Sequence, residues 1–200
     1  LGQLYESGER VTQDYKKAIK WYKLAAGNNN ELAQFKLGNL FEKGKGVVKN
    51  DKEALKWYLL AADKGNETAQ FNLGYMYSRG IGVGQNYGKA VNWYRLAAGQ
   101  DNILAMFNLG VLYSEGRGTR QNYSKAASWF RLAAKKGDAE AQFRLGMMYE
   151  EGDGVDKDVE KAVKLYRFAA DQGNAMAQGS LGWMYINGNG VEEDLDEAAK

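Results

Sequence analysis

The chain contains no cysteine, no histidine and no proline among its 200 residues. Without cysteine there is neither a disulfide framework nor a thiolate metal site, and the redox compartment is left open. Without histidine, the commonest general base and the commonest metal ligand are both missing. No run approaches the roughly 18 uninterrupted apolar residues of a membrane-spanning helix, so no membrane insertion is expected. Charge of one sign is also scarce. Lys and Arg number 27 against 25 Asp and Glu, and the resulting net charge of +2 argues against a dedicated nucleic-acid binder. The chain opens at Leu1 with neither an initiator methionine nor a leader pattern, so an excerpt of a longer polypeptide is expected. Glycine, by contrast, is abundant. Its 25 copies, without proline and beside 44% hydrophobic and 26% charged residues, fit neither collagen nor a disordered linker.

A period accounts for most of them. Leu-Gly occurs at Leu1-Gly2, Leu37-Gly38, Leu73-Gly74, Leu109-Gly110, Leu145-Gly146 and Leu181-Gly182, always 36 residues apart. An aromatic keeps the same phase at Tyr5, Phe41, Tyr77, Tyr113, Tyr149 and Tyr185. So do Ala54, Ala90, Ala126 and Ala162, the tryptophans Trp21, Trp57, Trp93 and Trp129 (then Leu165), and the pairs Ala61-Ala62 and Ala97-Ala98. Such self-similarity is the signature of a repeat architecture.

Each repeat reads as two helices, A and B. Helix A of the first complete repeat runs over about Glu31 to Lys43, with Ala33, Leu37, Leu40 and Phe41 forming an amphipathic stripe. Helix B runs over about Asp51 to Asp63 and buries Ala54, Trp57, Tyr58, Ala61 and Ala62. Just before B stand Asp14, Asn50, Asn86, Asn122, Asp158 and Asp194, the N-cap residue types whose side-chain oxygen accepts an unpaired first-turn N–H. Strand alternation is absent, and the fold class is all-α. The six glycines after Leu sit in mid-helix, where Gly costs about 1 kcal/mol relative to Ala. That repeated cost predicts close helix contact, with an aromatic ring where Cβ would be. Eleven more glycines close the A-to-B turn, as in Gly80-Ile81-Gly82, where positive φ is expected. A third column, Gly65, Gly137 and Gly173 alternating with Asn29 and Asp101, reads as a left-handed cap after helix B.

These residues carry a resemblance. The run Ala69, Leu73-Gly74, Tyr77, Gly80-Ile81-Gly82-Val83, Asn86, Lys89-Ala90, Trp93-Tyr94 and Ala97-Ala98 resembles the Sel-one-like repeat (SLR) family, a relative of the tetratricopeptide repeats. The resemblance covers the whole chain as one solenoid over 1–200: a partial unit 1–29, full units at about 30–65, 66–101, 102–137 and 138–173, and a partial unit 174–200. It departs where Leu165 replaces Trp, where Thr119 replaces Val, and where Gly179 replaces the Phe found at Phe35, Phe71, Phe107 and Phe143. The cysteine pair carried by one branch of the family is missing. The resemblance implies a right-handed α-solenoid of antiparallel helix pairs whose A helices line a concave binding face.

On that face the columns that vary are the informative ones. The position after Leu-Gly reads Gln3, Asn39, Tyr75, Val111, Met147 and Trp183, turning from polar to large and apolar. The position before Leu reads Lys36, Asn72, Asn108, Arg144 and Ser180, and three positions past the first column come Glu42, Ser78, Ser114, Glu150 and Ile186. Tyr75, Val111, Met147 and Trp183 would give an apolar stripe, and Lys36, Asn72, Asn108 and Arg144 would hydrogen-bond a bound segment. The second set loosely resembles a clamp that some tetratricopeptide proteins use for a terminal carboxylate. The alternative is that these side chains contact the adjacent A helix or are simply solvated. The Trp and Tyr columns of helix B are assigned to the core. Charge is uneven as well: residues 1–100 hold 15 basic and 9 acidic residues, residues 101–200 hold 12 and 16. A basic face at Lys16, Lys17, Lys20 and Lys23 and an acidic end at Glu192, Glu193, Asp194, Asp196 and Glu197 would favour weak head-to-tail self-association, or merely form a solvated convex surface.

Catalytic readings do not assemble. The Gly-x-Gly triplets lack a preceding strand and a following Gly-Lys-Ser/Thr, so they read as turns rather than phosphate loops. Asp153, Asp156 and Asp158 lack the twelve-residue calcium spacing with its terminal Glu. Glu150 and Glu151 point in different directions on a helix, and Ser124-Lys125 has no supporting feature. Asn122 of the sequon Asn122-Tyr123-Ser124 is a cap, and a second sequon begins at Asn66. The expected function is a non-enzymatic scaffold or adaptor, without a cofactor, that binds a partner protein or peptide. The alternatives are a regulatory subunit docking onto a separate enzyme and, behind it, an SLR-type hydrolase. The resemblance favours a bacterial source and an exported location, periplasmic or extracellular.

Overall fold

The computed structural model describes residues 1–199, and every regular element among them is helical. Two compact units are present. The first spans Leu1–Asn102 and contains α1 (Gly2–Ser7), α2 (Tyr15–Gly27), α3 (Glu31–Lys43), α4 (Asp51–Ala62), α5 (Glu67–Arg79) and α6 (Tyr87–Ala98). The second begins at Ile103 and contains α7 (Ile103–Glu115), α8 (Tyr123–Lys135), α9 (Ala139–Glu151), α10 (Val159–Asp171), α11 (Ala175–Asn187) and α12 (Leu195–Ala198). Odd-numbered helices are the A helices and even-numbered ones the B helices. Within each unit, consecutive helices pack against one another.

Both kinds of helix start on a side-chain cap. Asp14, Asn50, Asn86, Asn122 and Asp158 accept the N–H three residues on at 2.8–3.0 Å, as the periodic column predicts. The A helices are capped too, by Asn30, Asn66, Asp138 and Asn174, so the sequon asparagine Asn66 also has a structural role. Each such cap satisfies one of the orphan donors of a helix end and contributes about 1 kcal/mol. At the other end, Gly80 closes α5 at φ 72°, and the eleven turn glycines all have positive φ. Asn29 and Asp101, at φ 63° and 71°, occupy the left-handed column that holds glycine elsewhere.

The core of each repeat is a ring lying on a glycine. A Cβ added to Gly38 would stand 2.6 Å from the Tyr58 ring, and one on Gly74 would stand 2.5 Å from the Tyr94 ring. Gly110 meets Phe130 and Gly146 meets Tyr166 in the same way. Each ring is flanked by the phenylalanine three residues before the glycine, with centroids 5.6–5.9 Å apart in tilted geometry. Gly2 meets the Tyr22 ring likewise, and a Cβ on Gly182 would stand 3.3 Å from the Ala198 carbonyl. The tryptophan column differs from expectation. Tyr58, Tyr94 and Tyr166 are wholly buried, whereas Trp57, Trp93 and Trp129 are half-buried and Trp21 is 39% exposed. One residue along a helix is a turn of about 100°, which puts the tyrosine on the core and the tryptophan at its edge.

Polar columns join one repeat to the next. The buried Gln34, Gln70 and Gln142 donate to the carbonyls of Ala26, Ala62 and Ala134 on the preceding B helix. The A-helix caps act twice: Asn66 also donates to Glu31 at 2.6 Å, Asn174 donates to Glu140 at 3.0 Å, and Asn102 donates to Glu67.

Two substitutions separate close contact from helical propensity. Gly74→Ala should lower stability by about 1–3 kcal/mol through overpacking against Tyr94, despite the roughly 1 kcal/mol preference of a helix for Ala. Gly179→Ala, where an added Cβ meets nothing within 4 Å, should raise stability by up to about 1 kcal/mol. Urea unfolding midpoints of the two variants should move in opposite directions.

Candidate protein-interaction face

The residues expected to bind a partner fall on A helices in both units. In the first unit, Lys36 and Asn39 lie on α3 and are half-buried, while Asn72 and Tyr75 lie on α5, with Tyr75 41% exposed. In the second unit, Asn108 and Val111 lie on α7 and Arg144 and Met147 on α9. Trp183 lies on α11 and is 53% exposed. The column after Leu-Gly therefore presents accessible surface in every complete repeat.

Three positions beyond it, Glu6, Glu42, Ser78, Ser114 and Glu150 are half-buried, while Ile186 is 52% exposed. The Tyr58 hydroxyl donates to Glu42 at 2.6 Å, Tyr22 to Glu6 at 2.5 Å and Tyr166 to Glu150 at 2.6 Å. These pairs join the A and B helices of one repeat above the glycine contact. Burial and the neighbouring carboxylate both push these phenols well above their ordinary range. In the next repeat Ser78 stands where the carboxylate would be. Its Oγ donates to the Tyr75 carbonyl at 2.8 Å, and among the described residues the buried Tyr94 hydroxyl has no hydrogen-bond partner. Burial pushes the Tyr94 phenol up to about 12. In the repeat after that both members are replaced, by Ser114 and Phe130.

The polar residues of the expected clamp are engaged within their own units. Lys36 pairs with Glu6 at 3.1 Å, Asn72 lies beside the Tyr58 hydroxyl, Asn108 donates to the Leu104 carbonyl at 2.7 Å, and Arg144 pairs with Glu140 at 3.0 Å. A ligand carboxylate at any of them would share or displace an existing partner. The apolar candidates are more open. Val111, Arg144 and Met147 come together on one cavity of about 190 Å³ in the second unit, and Trp183 borders a separate, wider depression with Glu150 and Ser180. In the first unit, the Arg79 guanidinium sits 5.9 Å from the Tyr75 ring centroid, a cation–π contact at an exposed position. Among the described residues no group of three or more acidic side chains is placed to hold a metal ion, and no helix is long and apolar enough to cross a membrane.

The Sel1 repeat matches residues 1–30, 32–66, 68–102, 103–138, 139–174 and 175–200. The chain belongs to the Sel1 repeat family. Its fold is that of the solved SLR structures. The protective antigen c5321 of uropathogenic Escherichia coli is 38% identical with a TM-score of 0.95, over 98% of this chain and 42% of that one. A Sel1 repeat protein from Oxalobacter formigenes is 35% identical with a TM-score of 0.83, over 99% and 79%. Helicobacter pylori cysteine rich protein B, at 24% identity and a TM-score of 0.53 over 66% and 96%, shares the fold. No curated protein matches the sequence significantly. The chain thus spans less than half of the c5321 structure. Sel1 repeat proteins generally act as protein-interaction scaffolds and are typically non-enzymatic.

The Tyr–Glu pairs give a stability test. Ser78→Glu should supply the missing acceptor for Tyr94 and raise stability by about 1–2 kcal/mol, whereas Tyr58→Phe should lower it by about 1–3 kcal/mol. Chemical denaturation of each variant reads the difference, and a Ser78→Glu midpoint below wild type would show that the repeat cannot seat the pair. The raised phenol values favour the neutral form in the folded state. Their stabilisation is therefore complete below the ordinary phenol value of 10.0 and is lost as pH rises toward and beyond 12. A Tm series over that alkaline window should fall less steeply for Tyr94→Phe than for wild type.

Proposed function

We propose that this Sel1 repeat segment is a scaffold that binds a segment of a partner protein on its A-helix face. The contacts assigned to it are Lys36, Asn39, Asn72 and Tyr75 in the first unit and Asn108, Val111, Arg144, Met147 and Trp183 in the second. One observation carries the reading. The same helical column that holds half-buried Asn39, Val111 and Met147 leaves Tyr75 and Trp183 41% and 53% exposed, Tyr75 beside the Arg79 guanidinium and Trp183 at the edge of an open depression. Exposed aromatics beside a concavity are the usual anchors of protein interfaces. The general scaffold role of the family supports it. A regulatory subunit docking onto an enzyme would use the same face and differs only in the partner. The bacterial relatives, one of them described as a protective antigen, favour an exported bacterial setting.

Affinity capture with the wild-type chain and a Tyr75→Ala/Trp183→Ala variant tests the reading, with Lys20→Ala/Lys56→Ala on the B helices as a control. Each lost anchor should cost about 1–2 kcal/mol, so a partner retained by wild type and by the control should bind the double variant at least tenfold more weakly. Equal retention by a double variant with unchanged circular dichroism would rule this face out.

A further inference from the structure

Repeats that share one period serve as references for each other, and the repeat of α7 and α8 lacks both members of a pair that other repeats contain. Where Glu150 and Tyr166 fill the space between their helices with a 2.6 Å hydrogen bond, the repeat of α7 and α8 has Ser114 and Phe130. Phe130 has no hydroxyl, and the Ser114 Oγ bends back to the Val111 carbonyl at 2.9 Å. Both residues border a cavity of about 190 Å³ between α7, α8 and α9. Its floor is the buried pair Phe130 and Met148, and Val111, Met147 and Tyr123 form its walls.

The charges at the rim choose among occupants. Four ionisable side chains line it: Arg144, Glu115, Glu151 and Asp153. Arg144 is held by Glu140 at 3.0 Å, and Glu115 is held by Arg117 at 3.1 Å. Glu151 and Asp153 have no cation partner among the described residues. Two unneutralised carboxylates thus stand at one end of an apolar, aromatic cleft, in a half of the chain where acidic residues outnumber basic ones by 16 to 12. An anionic occupant is repelled there. A purely apolar occupant leaves the carboxylates unanswered. A long aliphatic stem carrying a cation satisfies both, with the stem on Phe130 and Met147 and the head toward Glu151 and Asp153.

From this complementarity we infer that the cavity is a receptor for a basic side chain, arginine or lysine, presented by the partner segment. The inference rests on the scaffold reading and gives it a chemical specificity, since the recognised segment is basic at this point.

Methyl-labelled methionine reports on it directly. Met147 and Met148 line the cavity, while Met76, buried in a core cluster of the first unit, serves as the reference. The probes are the peptide acetyl-Gly-Ser-Arg-Ser-Gly-amide and its counterparts with citrulline or glutamate in place of arginine. The arginine peptide should shift the Met147 and Met148 signals saturably, at least threefold more tightly than the neutral citrulline peptide, and leave the Met76 signal in place. Glu151→Gln/Asp153→Asn should bring arginine down to the citrulline level. Ser114→Glu/Phe130→Tyr, which restores the internal pair, should abolish the shifts. Equal response to arginine and citrulline, preference for glutamate, or no response from a folded protein would each overturn the proposal. Those results leave the capture experiment untouched, because it depends on Tyr75 and Trp183, so failure of the basic pocket and failure of the interaction face are told apart.

Discussion

The fold depends on an aromatic ring pressed onto bare helical backbone. In four complete repeats the B-helix ring occupies the space a Cβ would take, 2.5–2.7 Å from where that atom would stand. The glycine is a poor helix former, and its cost is offset because the two helices approach closely enough to bury a whole ring. Everything else in the repeat follows from that approach. The alanines at Ala54, Ala61 and Ala62 are small because the helices are near, and the phenylalanine of each A helix covers the ring from the side. Larger side chains at those alanine positions would push the ring off its seat.

On top of this constant contact sits a variable one. The tyrosine hydroxyl emerges from the buried ring at the height of the A-helix column that holds Glu6, Glu42, Ser78, Ser114 or Glu150. Where glutamate is present, the pair closes the repeat. Ser78 leaves a hydroxyl without a partner, and Ser114 with Phe130 leaves open volume. Repeats with one backbone thereby acquire different surfaces, and the differences lie in the layer between the core and the accessible aromatics. A scaffold built this way gains specificity without disturbing its packing.

Features confined to a single column were legible from the sequence. Asp14 and Asn50 announce caps by residue type and position, and Gly74 announces a close contact because nothing else explains glycine in mid-helix. The Glu–Tyr pairs were not, because their members are 16 residues apart and each column was read alone. Glu42 looked like a solvent-facing residue of a binding surface. A partial signal was present all the same: serine replaces glutamate at Ser114, where phenylalanine replaces tyrosine, although Ser78 stands opposite a retained Tyr94. Partners that lie a repeat away, such as Glu6 for Lys36, leave no local mark. Nor does the double duty of Asn66, which shows in the sequence only as an Asn-Glu dipeptide at 30–31 and 66–67.

The second glycine of each A-to-B turn carries a consequence for how such a chain can change length. A Cβ on Gly46 would stand 2.5 Å from Tyr15, one on Gly82 the same distance from the Asp51 carbonyl oxygen, and one on Gly154 would meet the backbone of Tyr123 and Ser124. The turns at Gly46, Gly82, Gly154 and Gly190 are therefore seated on the first residues of the B helix one repeat earlier in the same unit. A single inserted residue would lift such a turn from its seat, whereas a whole module of 36 residues keeps every seat in phase, as the unbroken spacing of the six Leu-Gly pairs does.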